Sequence, residues 1–211
     1  MREEAHFDMQ HNWKTEGFGV RIRPVVLEDA AFIVWLRGLD HTKGYLGDSA
    51  SGVAEQEAWL RTYFAREDDF YFITETPGGI PLGTHGLSNH ANGSAEAGRL
   101  IIRPDVPAAV PTSLITFDLA FGEMGLKELR GTSVSTNEKV HTYVYKFGFR
   151  KTGVEAGARV ISGQPVDIFH FAMTAEEWVK NRPRVLPIAK YAEKQIQAWE
   201  KLQPPGAKSW L

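Results

Sequence analysis

The stretch that decides the fold is Ala95–Asp105, A-E-A-G-R-L-I-I-R-P-D, read with three segments downstream of it. These are V-P-A-A-V-P (Val106–Pro111), T-S-L-I-T-F-D-L-A-F-G-E-M-G-L-K-E-L (Thr112–Leu129) and S-T-N-E-K-V-H-T-Y-V-Y-K-F-G-F-R-K-T-G (Ser135–Gly153). Residues 95–103 read as a strand carrying Leu100-Ile101-Ile102. Pro104, Pro107 and Pro111 break regular structure, and Pro111 suits the first turn of the following helix. That helix runs to about Gly125 with Leu114, Phe117, Leu119, Phe121 and Met124 as its bulky apolar residues. Leu129–Ser135 reads as a strand and Asn137–Lys146 as a short helix. Phe147–Ser162 reads as a glycine-broken extended region and Val166–Met173 as a last strand.

Upstream, Gly19–Pro24 alternates apolar and basic residues and ends at proline, which is strand chemistry. A helix from Leu27 carries Ala30, Ile33, Val34 and Leu36. Residues 38–51 read as a loop, and residues 52–66 as a second helix packing through Val53, Trp59, Leu60 and Tyr63. Phe70–Thr76, Leu82–Leu87 and Ala95–Arg103 form a meander of antiparallel strands, separated by Pro77-Gly78-Gly79 and by the turn at 89–93. A strictly alternating chain would build a doubly wound parallel sheet. Three hairpin-sized strands followed by β-α-β-α-β predict an α/β fold with a mixed, mostly antiparallel central sheet and helices on both faces.

Downstream, Thr174 with Glu177 forms a capping box for a short helix through Asn181. Pro183 and Pro187 precede a further helical stretch to about Gln203, terminated by Gln203-Pro204-Pro205-Gly206. Its apolar stripe is Val185, Ile188, Ala192, Ile196 and Trp199. This divides the chain into an N-terminal arm at 1–18 without structure of its own, a domain at 19–181 and a C-terminal helical extension at 182–211. The stripe is expected to pack on the chain's own domain, with a homodimer contact or contact with another protein as the alternative.

Composition narrows the function. Cysteine is absent, which excludes disulfides, thiolate metal sites and Cys nucleophiles. The 24 Lys and Arg against 26 Asp and Glu leave −2, so nothing draws the chain as a whole to nucleic acid or an anionic membrane. No apolar run approaches the roughly 20 residues of a membrane span. The polar, acidic start Met1–His6 does not read as a secretory signal, so a soluble, cytoplasmic protein is the expectation. Walker, Rossmann, nucleophile-elbow and zincin motifs are all missing, and His85 and His90, five residues apart, do not form a metal spacing. No metal is expected.

Residues 19–173 resemble the GNAT acetyltransferase superfamily. The likeness rests on the segments above together with V-R-I-R-P-V-V-L-E-D-A-A-F-I-V-W-L-R (Val20–Arg37), Q-E-A-W-L-R-T-Y-F (Gln56–Phe64) and P-L-G-T-H-G-L (Pro81–Leu87). Within the superfamily the chain is similar to the branch of ribosomal-protein N-terminal acetyltransferases and of amino-sugar acetyltransferases. The A-E-x-G-R-x-I-x-R-P stretch leans to the latter. The resemblance implies the GNAT acyl-CoA N-acyltransferase fold and acetyl-CoA as cosubstrate.

It also implies roles for particular residues. Leu100, Ile101, Ile102 and Arg103 would lie on a splayed strand whose free backbone groups bond the pantetheine. The connection into the next helix would receive the diphosphate on helix N–H groups. Typical members are basic and glycine-rich there, whereas Asp105–Ser113 brings two prolines and an acid, leaving Thr112 and Ser113 to restore donors. Asn137 matches an asparagine that serves the pantetheine, a role that competes with plain helix capping. The tyrosine that many members place seven residues later, as acid to the departing thiolate, is Val144 here, flanked by Tyr143 and Tyr145. Tyr143 also corresponds to an aromatic that covers the cofactor in the sugar branch. Glu96 is the general-base candidate, because transfer needs the amine in its neutral form. Trp59, Phe70, Tyr71 and His85 are acceptor-pocket candidates. The expected reaction is direct acetyl transfer to a primary amine of a small molecule, an amino sugar or nucleotide-linked amino sugar. Acetylation of a polypeptide amine, or a non-catalytic binding or scaffold role on the same fold, is the alternative.

Overall fold

The computed structural model describes residues 11–42, 52–161 and 163–204. Most of the expected arm, most of the 38–51 loop and the end of the tail lie outside them. Alternation in Val20-Arg21-Ile22-Arg23 builds strand β2 (Val20–Pro24), with Val20 and Ile22 buried. Thr15–Gly17 pairs with it as a short edge strand, β1, so the arm expected to lack structure joins the sheet at its end. Helices α1 (Ala30–Arg37) and α2 (Val53–Tyr63) follow. Then come β3 (Phe70–Glu75), β4 (Pro81–Ala91) and β5 (Ser94–Ile102), the expected meander. Helix α3 (Ala109–Gly122) leads to β6 (Glu128–Val134), and α4 (Glu138–Phe147) to the long hairpin β7 (Arg150–Ile161) and β8 (Gln164–Thr174). Helix α5 (Ala175–Lys201) closes the chain.

The strands form one eight-stranded sheet in the order β1-β2-β3-β4-β5-β6-β8-β7. Every neighbouring pair is antiparallel except β5–β6, which is parallel. The sheet has two cores, one on each face. Helices α1 and α2 bury Phe32, Ile33, Leu36, Leu60 and Tyr63 against Tyr71, Ile73 and Ile101. On the other face Leu114, Phe117 and Leu119 of α3, Phe147 of α4 and residues of α5 meet Phe72, Leu87, Leu129, Phe171 and Met173. No helix among the described residues is long and apolar enough to cross a membrane.

Helix α5 corrects the expectation of two helices separated by prolines. It is one 27-residue helix that contains both Pro183 and Pro187 and crosses the boundary expected at 181/182. Both prolines sit on its exposed side, so the carbonyls they leave unpaired, those of Val179 and Pro183, can turn to water. Its buried face is Trp178, Val185, Ala189, Ala192 and Ile196. Ala189 takes the place expected for Ile188, which is 36% exposed. The stripe is covered by the chain's own α3. Asp118 of α3 accepts from Trp178 Nε1 at 3.0 Å and from Arg182 Nε and Nη2 at 2.7 and 2.8 Å. The capping box forms as expected, with Thr174 Oγ1 accepting from Glu177 N and Glu177 Oε2 from Thr174 N.

Candidate functional site

The parallel pairing of β5 with β6 is short. It runs Ser94↔Glu128, Ala95↔Leu129 and Glu96↔Arg130, and there it stops. Beyond that point β5 continues to Ile102 against β4 alone, and β6 continues to Val134 against β8 alone. The sheet therefore forks at Glu96, and among the described residues no strand faces the edge of β5 from Ala97 onward. Leu100–Arg103, expected to offer backbone groups, lie along that edge. The side chain of Ile101 is buried in the α1/α2 core, and Ile102 packs on the α3 core.

A bulge shapes the same strand. Gly86 pairs with Gly98 but Thr84 with Ile101, so β5 holds an extra residue between them. Arg99 takes the left-handed conformation there, with φ 53. Thr84 Oγ1 donates to the Arg99 carbonyl at 2.8 Å and fixes the distortion. The Arg99 side chain crosses Gly86, where a Cβ would stand 3.2 Å from Arg99 Cδ. Its guanidinium then pairs through two nitrogens with the carboxylate of Asp69, whose side chain is 2% exposed. Burial alone would lower the Arg99 pKa, but the hydrogen bonds and charge of Asp69 outweigh it and raise the value. The guanidinium also lies 5.7 Å from the Trp59 ring and 5.2 Å from that of Tyr71.

At the apex, Glu96 faces a cleft of about 510 Å³ whose lining includes Asn89, Glu128, Arg130, Thr132 and His170. Leu129, between Glu128 and Arg130, is buried in the α3-side core, so these polar side chains occupy the opposite face. The Glu96 carboxylate accepts from Asn89 Nδ2 at 3.1 Å and from Thr132 Oγ1 at 3.2 Å. Arg130, its cross-strand neighbour, is turned instead onto Glu128, Nε to Oε1 at 2.7 Å. Among the described residues no Lys, Arg or His stands within ion-pair distance of Glu96. Nor does any group of three His, Asp or Glu side chains among them suit a metal ion.

The remaining expected residues divide between places. Trp59 and Tyr71 belong to the helix-covered part of the face that Glu96 shares. Trp59 stacks on Tyr63 with centroids 5.5 Å apart, and Tyr71 is buried, which raises its hydroxyl pKa. His85 and Phe70 point to the opposite face and correct the expectation of an acceptor pocket holding all four. His85 is 2% exposed beneath α3, and burial lowers its pKa to about 4. Thr116 Oγ1 donates to the Thr112 carbonyl at 2.8 Å, so it accepts from His85 Nδ1–H at 3.0 Å. Phe70 belongs to the α3-side core.

Thr112 and Ser113, expected to restore side-chain and backbone donors, are buried. Thr112 Oγ1 donates to the Ala108 carbonyl at 2.7 Å, and Ser113 Oγ lies 2.8 Å from the Tyr143 hydroxyl. Tyr143 donates to the Ala109 carbonyl at 2.8 Å, and burial raises its pKa, so its proton is already committed to the first turn of α3. Tyr145 is 47% exposed, with its ring against Phe171. Val144, between them, packs against the α3-side core. Asn137 caps α4, its Oδ1 accepting from Val140 N at 3.3 Å.

Sequence reading missed Asp69, Asn89, Arg99, Arg130 and Thr132. For Arg99 a signal existed, since a glycine inside a strand, here Gly98, marks a bulge or a close approach.

No protein-family model and no curated protein matches the chain, but solved structures do. It superposes with TM-score 0.69 on the apo form of FdhC, a nucleotide-linked sugar GNAT, at 23% identity over 86% of this chain and 99% of that one. A GCN5-related N-acetyltransferase from Brucella melitensis gives 0.73 at 20% identity, over 91% and 96% of the two chains. The Vibrio cholerae spermidine N-acetyltransferase in complex with CoA and spermine gives 0.70 at 18% identity, over 77% and 99%. At these identities the likeness establishes the fold, which is that of the GNAT acyltransferases.

Proposed function

We propose that this protein transfers an acetyl group from acetyl-CoA to the primary amine of a small molecule, an amino sugar or a nucleotide-linked amino sugar. The observation that carries the reading is the fork itself. The β5–β6 ladder ends at Glu96↔Arg130, and Glu96 stands at that apex in a polar cleft.

The edge of β5 at Leu100–Ile102, turned away from β4, bonds the pantetheine amides, with Arg103 following it. The diphosphate meets the first turn of α3, where the amides of Ala109 and Val110 are ones a helix leaves without an intrahelical partner. With Thr112 and Ser113 turned inward, backbone groups do this work without hydroxyl help. The acceptor enters the cleft as an ammonium ion. Glu96, directly or through one water, takes its proton, and the neutral amine attacks the thioester carbonyl carbon. The tetrahedral adduct collapses as the C–S bond breaks and sulfur leaves with the bonding pair; the nitrogen gives up its second proton, through water, to the departing thiolate, leaving the neutral amide and CoA thiol. A thiol with an ordinary pKa of about 8.5 is a good enough leaving group to depart as thiolate. Transfer therefore does not depend on a tyrosine at position 144.

The cleft's mixture of carboxylates, Asn89, Thr132 and Arg130 suits an acceptor rich in hydroxyl groups more than an apolar amine. Release of CoA thiol from acetyl-CoA, followed across amino sugars, nucleotide-linked amino sugars, polyamines and peptides, tests the assignment. Amine-dependent release with sugars is the expected result. Release with peptides alone would redirect the function to polypeptide acetylation, and binding without release under any acceptor would favour a non-catalytic role.

A further inference from the structure

The end of α5 returns to the connection between β5 and α3. Trp199, in its last turns, has its ring centroid 4.7 Å from the Arg103 guanidinium, and its indole N–H donates to Asp105 Oδ2 at 3.3 Å. Arg103 is itself buried, 6% exposed, and holds Asp105 through Nε and Nη2 at 2.7 and 2.9 Å. The same guanidinium lies 5.6 Å from the ring of Trp35 on α1. Helices α1 and α5 cover opposite faces of the sheet, so Arg103 ties the two layers together where β5 ends. The neighbouring Glu200 accepts from Gly78 N at 2.9 Å and pins the helix end to the β3–β4 turn as well.

This arrangement answers the difficulty raised by an acid in a phosphate-facing connection. Partial burial would push the Asp105 carboxyl pKa up. The Arg103 hydrogen bonds and charge outweigh burial, with the Trp199 N–H adding to them, and hold it below the usual range. The negative charge is thus neutralised locally, inside a Trp–Arg–Asp cluster, rather than directed at the helix end. Glycine is absent from Arg103–Ala108, and Pro104 and Pro107 restrict it further, so the connection cannot mould itself around a ligand. It has to be held in place beforehand.

We propose that Trp199 is a positioning residue for acyl-CoA. By packing on Arg103 and donating to Asp105 it holds Arg103–Ala108 in the form that keeps the acid away from the diphosphate and presents the first turn of α3. The proposal rests on the acyl-CoA reading above. It gives the C-terminal helix a part in cosubstrate binding at a distance from the acceptor cleft.

The test uses the full chain and acetyl-CoA titrated by calorimetry, with thermal midpoints measured in parallel. Trp199→Ala should weaken acetyl-CoA on the order of tenfold, the scale of one partly exposed cation–π contact plus one charge-assisted hydrogen bond. Trp199→Phe, which keeps a ring over Arg103, should recover most of the loss. Val185→Ala, on the same buried face but away from the connection, should lower the thermal midpoint and leave the dissociation constant within about twofold. An unchanged constant in Trp199→Ala overturns the proposal, and so does equal weakening in Val185→Ala, which would reduce Trp199 to ordinary helix docking. Failure of the wild-type protein to bind acetyl-CoA overturns the acyl-CoA reading and this proposal with it.

Discussion

Replacing His85 by Asn should make the protein less sensitive to acid. The imidazole is buried beneath α3 and neutral, with Nδ1–H on Thr116 and a folded-state pKa of about 4. In the unfolded chain the value returns to about 6.5. The folded value is depressed, so below pH 6.5 the unfolded state binds a proton that the native state refuses. Stability is then lost as pH falls from about 6.5 towards 4. The linkage relation puts the loss from this one group at about 2 kcal/mol between pH 7 and pH 5, and about 3 kcal/mol by pH 4. Asn can keep a donor to Thr116 and has nothing to titrate. Urea unfolding at pH 7, 6, 5 and 4 on both proteins isolates this contribution, because carboxylates and the similarly depressed His11 are common to both. Whatever its stability at pH 7, the variant's curve should be flatter by about 2 kcal/mol at pH 5. Parallel curves would refute the placement of a neutral His85 in this core.

Four other substitutions probe the ion pairs and the cap. Arg99→Ala leaves the buried Asp69 carboxylate, among the described residues, with only Arg66, at 3.3 Å, and should cost roughly 3 kcal/mol in chemical unfolding; adding Asp69→Asn should restore part of it. Asp118→Ala removes the acceptor shared by Trp178 and Arg182, and should destabilise by about 1–2 kcal/mol without altering acetyl-CoA affinity. Thr174→Ala breaks the capping box of α5 and should cost about 1 kcal/mol, read as a lower urea midpoint with an unchanged slope.

The order of elements was legible because most carry a clear period or a clear breaker. The meander is punctuated by Pro77-Gly78-Gly79 and Asn92-Gly93, and the run Leu100-Ile101-Ile102 marks the forked strand. Thr15–Gly17 was not legible as a strand. It has no apolar alternation, and what favours it is pairing with Val20–Ile22 and the close approach of Gly17 to Ile115, where a Cβ would stand 3.2 Å from Cγ2. Prolines hid the continuity of α5, because sequence does not say that both face water while Val185, Ala189, Ala192 and Ile196 hold the helix to its neighbours.

Glu96 was legible as a candidate base because a carboxylate on that strand has a chemical use. The side-chain directions of its neighbours were harder. Register shifts at Thr74/Glu75 and at Thr84/Gly86 reset the alternation along β4 and β5, so simple parity does not tell which face His85 or Arg99 takes. The hydroxyls of Thr112 and Ser113 were harder to read for a related reason, since the side of α3 that carries them is buried, with Tyr143 of α4 against Ser113. The pairing of Trp199 with Asp105 spans 94 residues of sequence and leaves no local trace.

The central claim, acyl transfer to an amine at the fork with Glu96 as base, is tested most directly by comparing wild type with Glu96→Gln. Amine-dependent release of CoA thiol and acetyl-CoA affinity are measured on both proteins. The account predicts turnover lower by on the order of 10²–10⁴-fold in the variant, with the acetyl-CoA dissociation constant within about twofold of wild type. Equal turnover in the two proteins would contradict it.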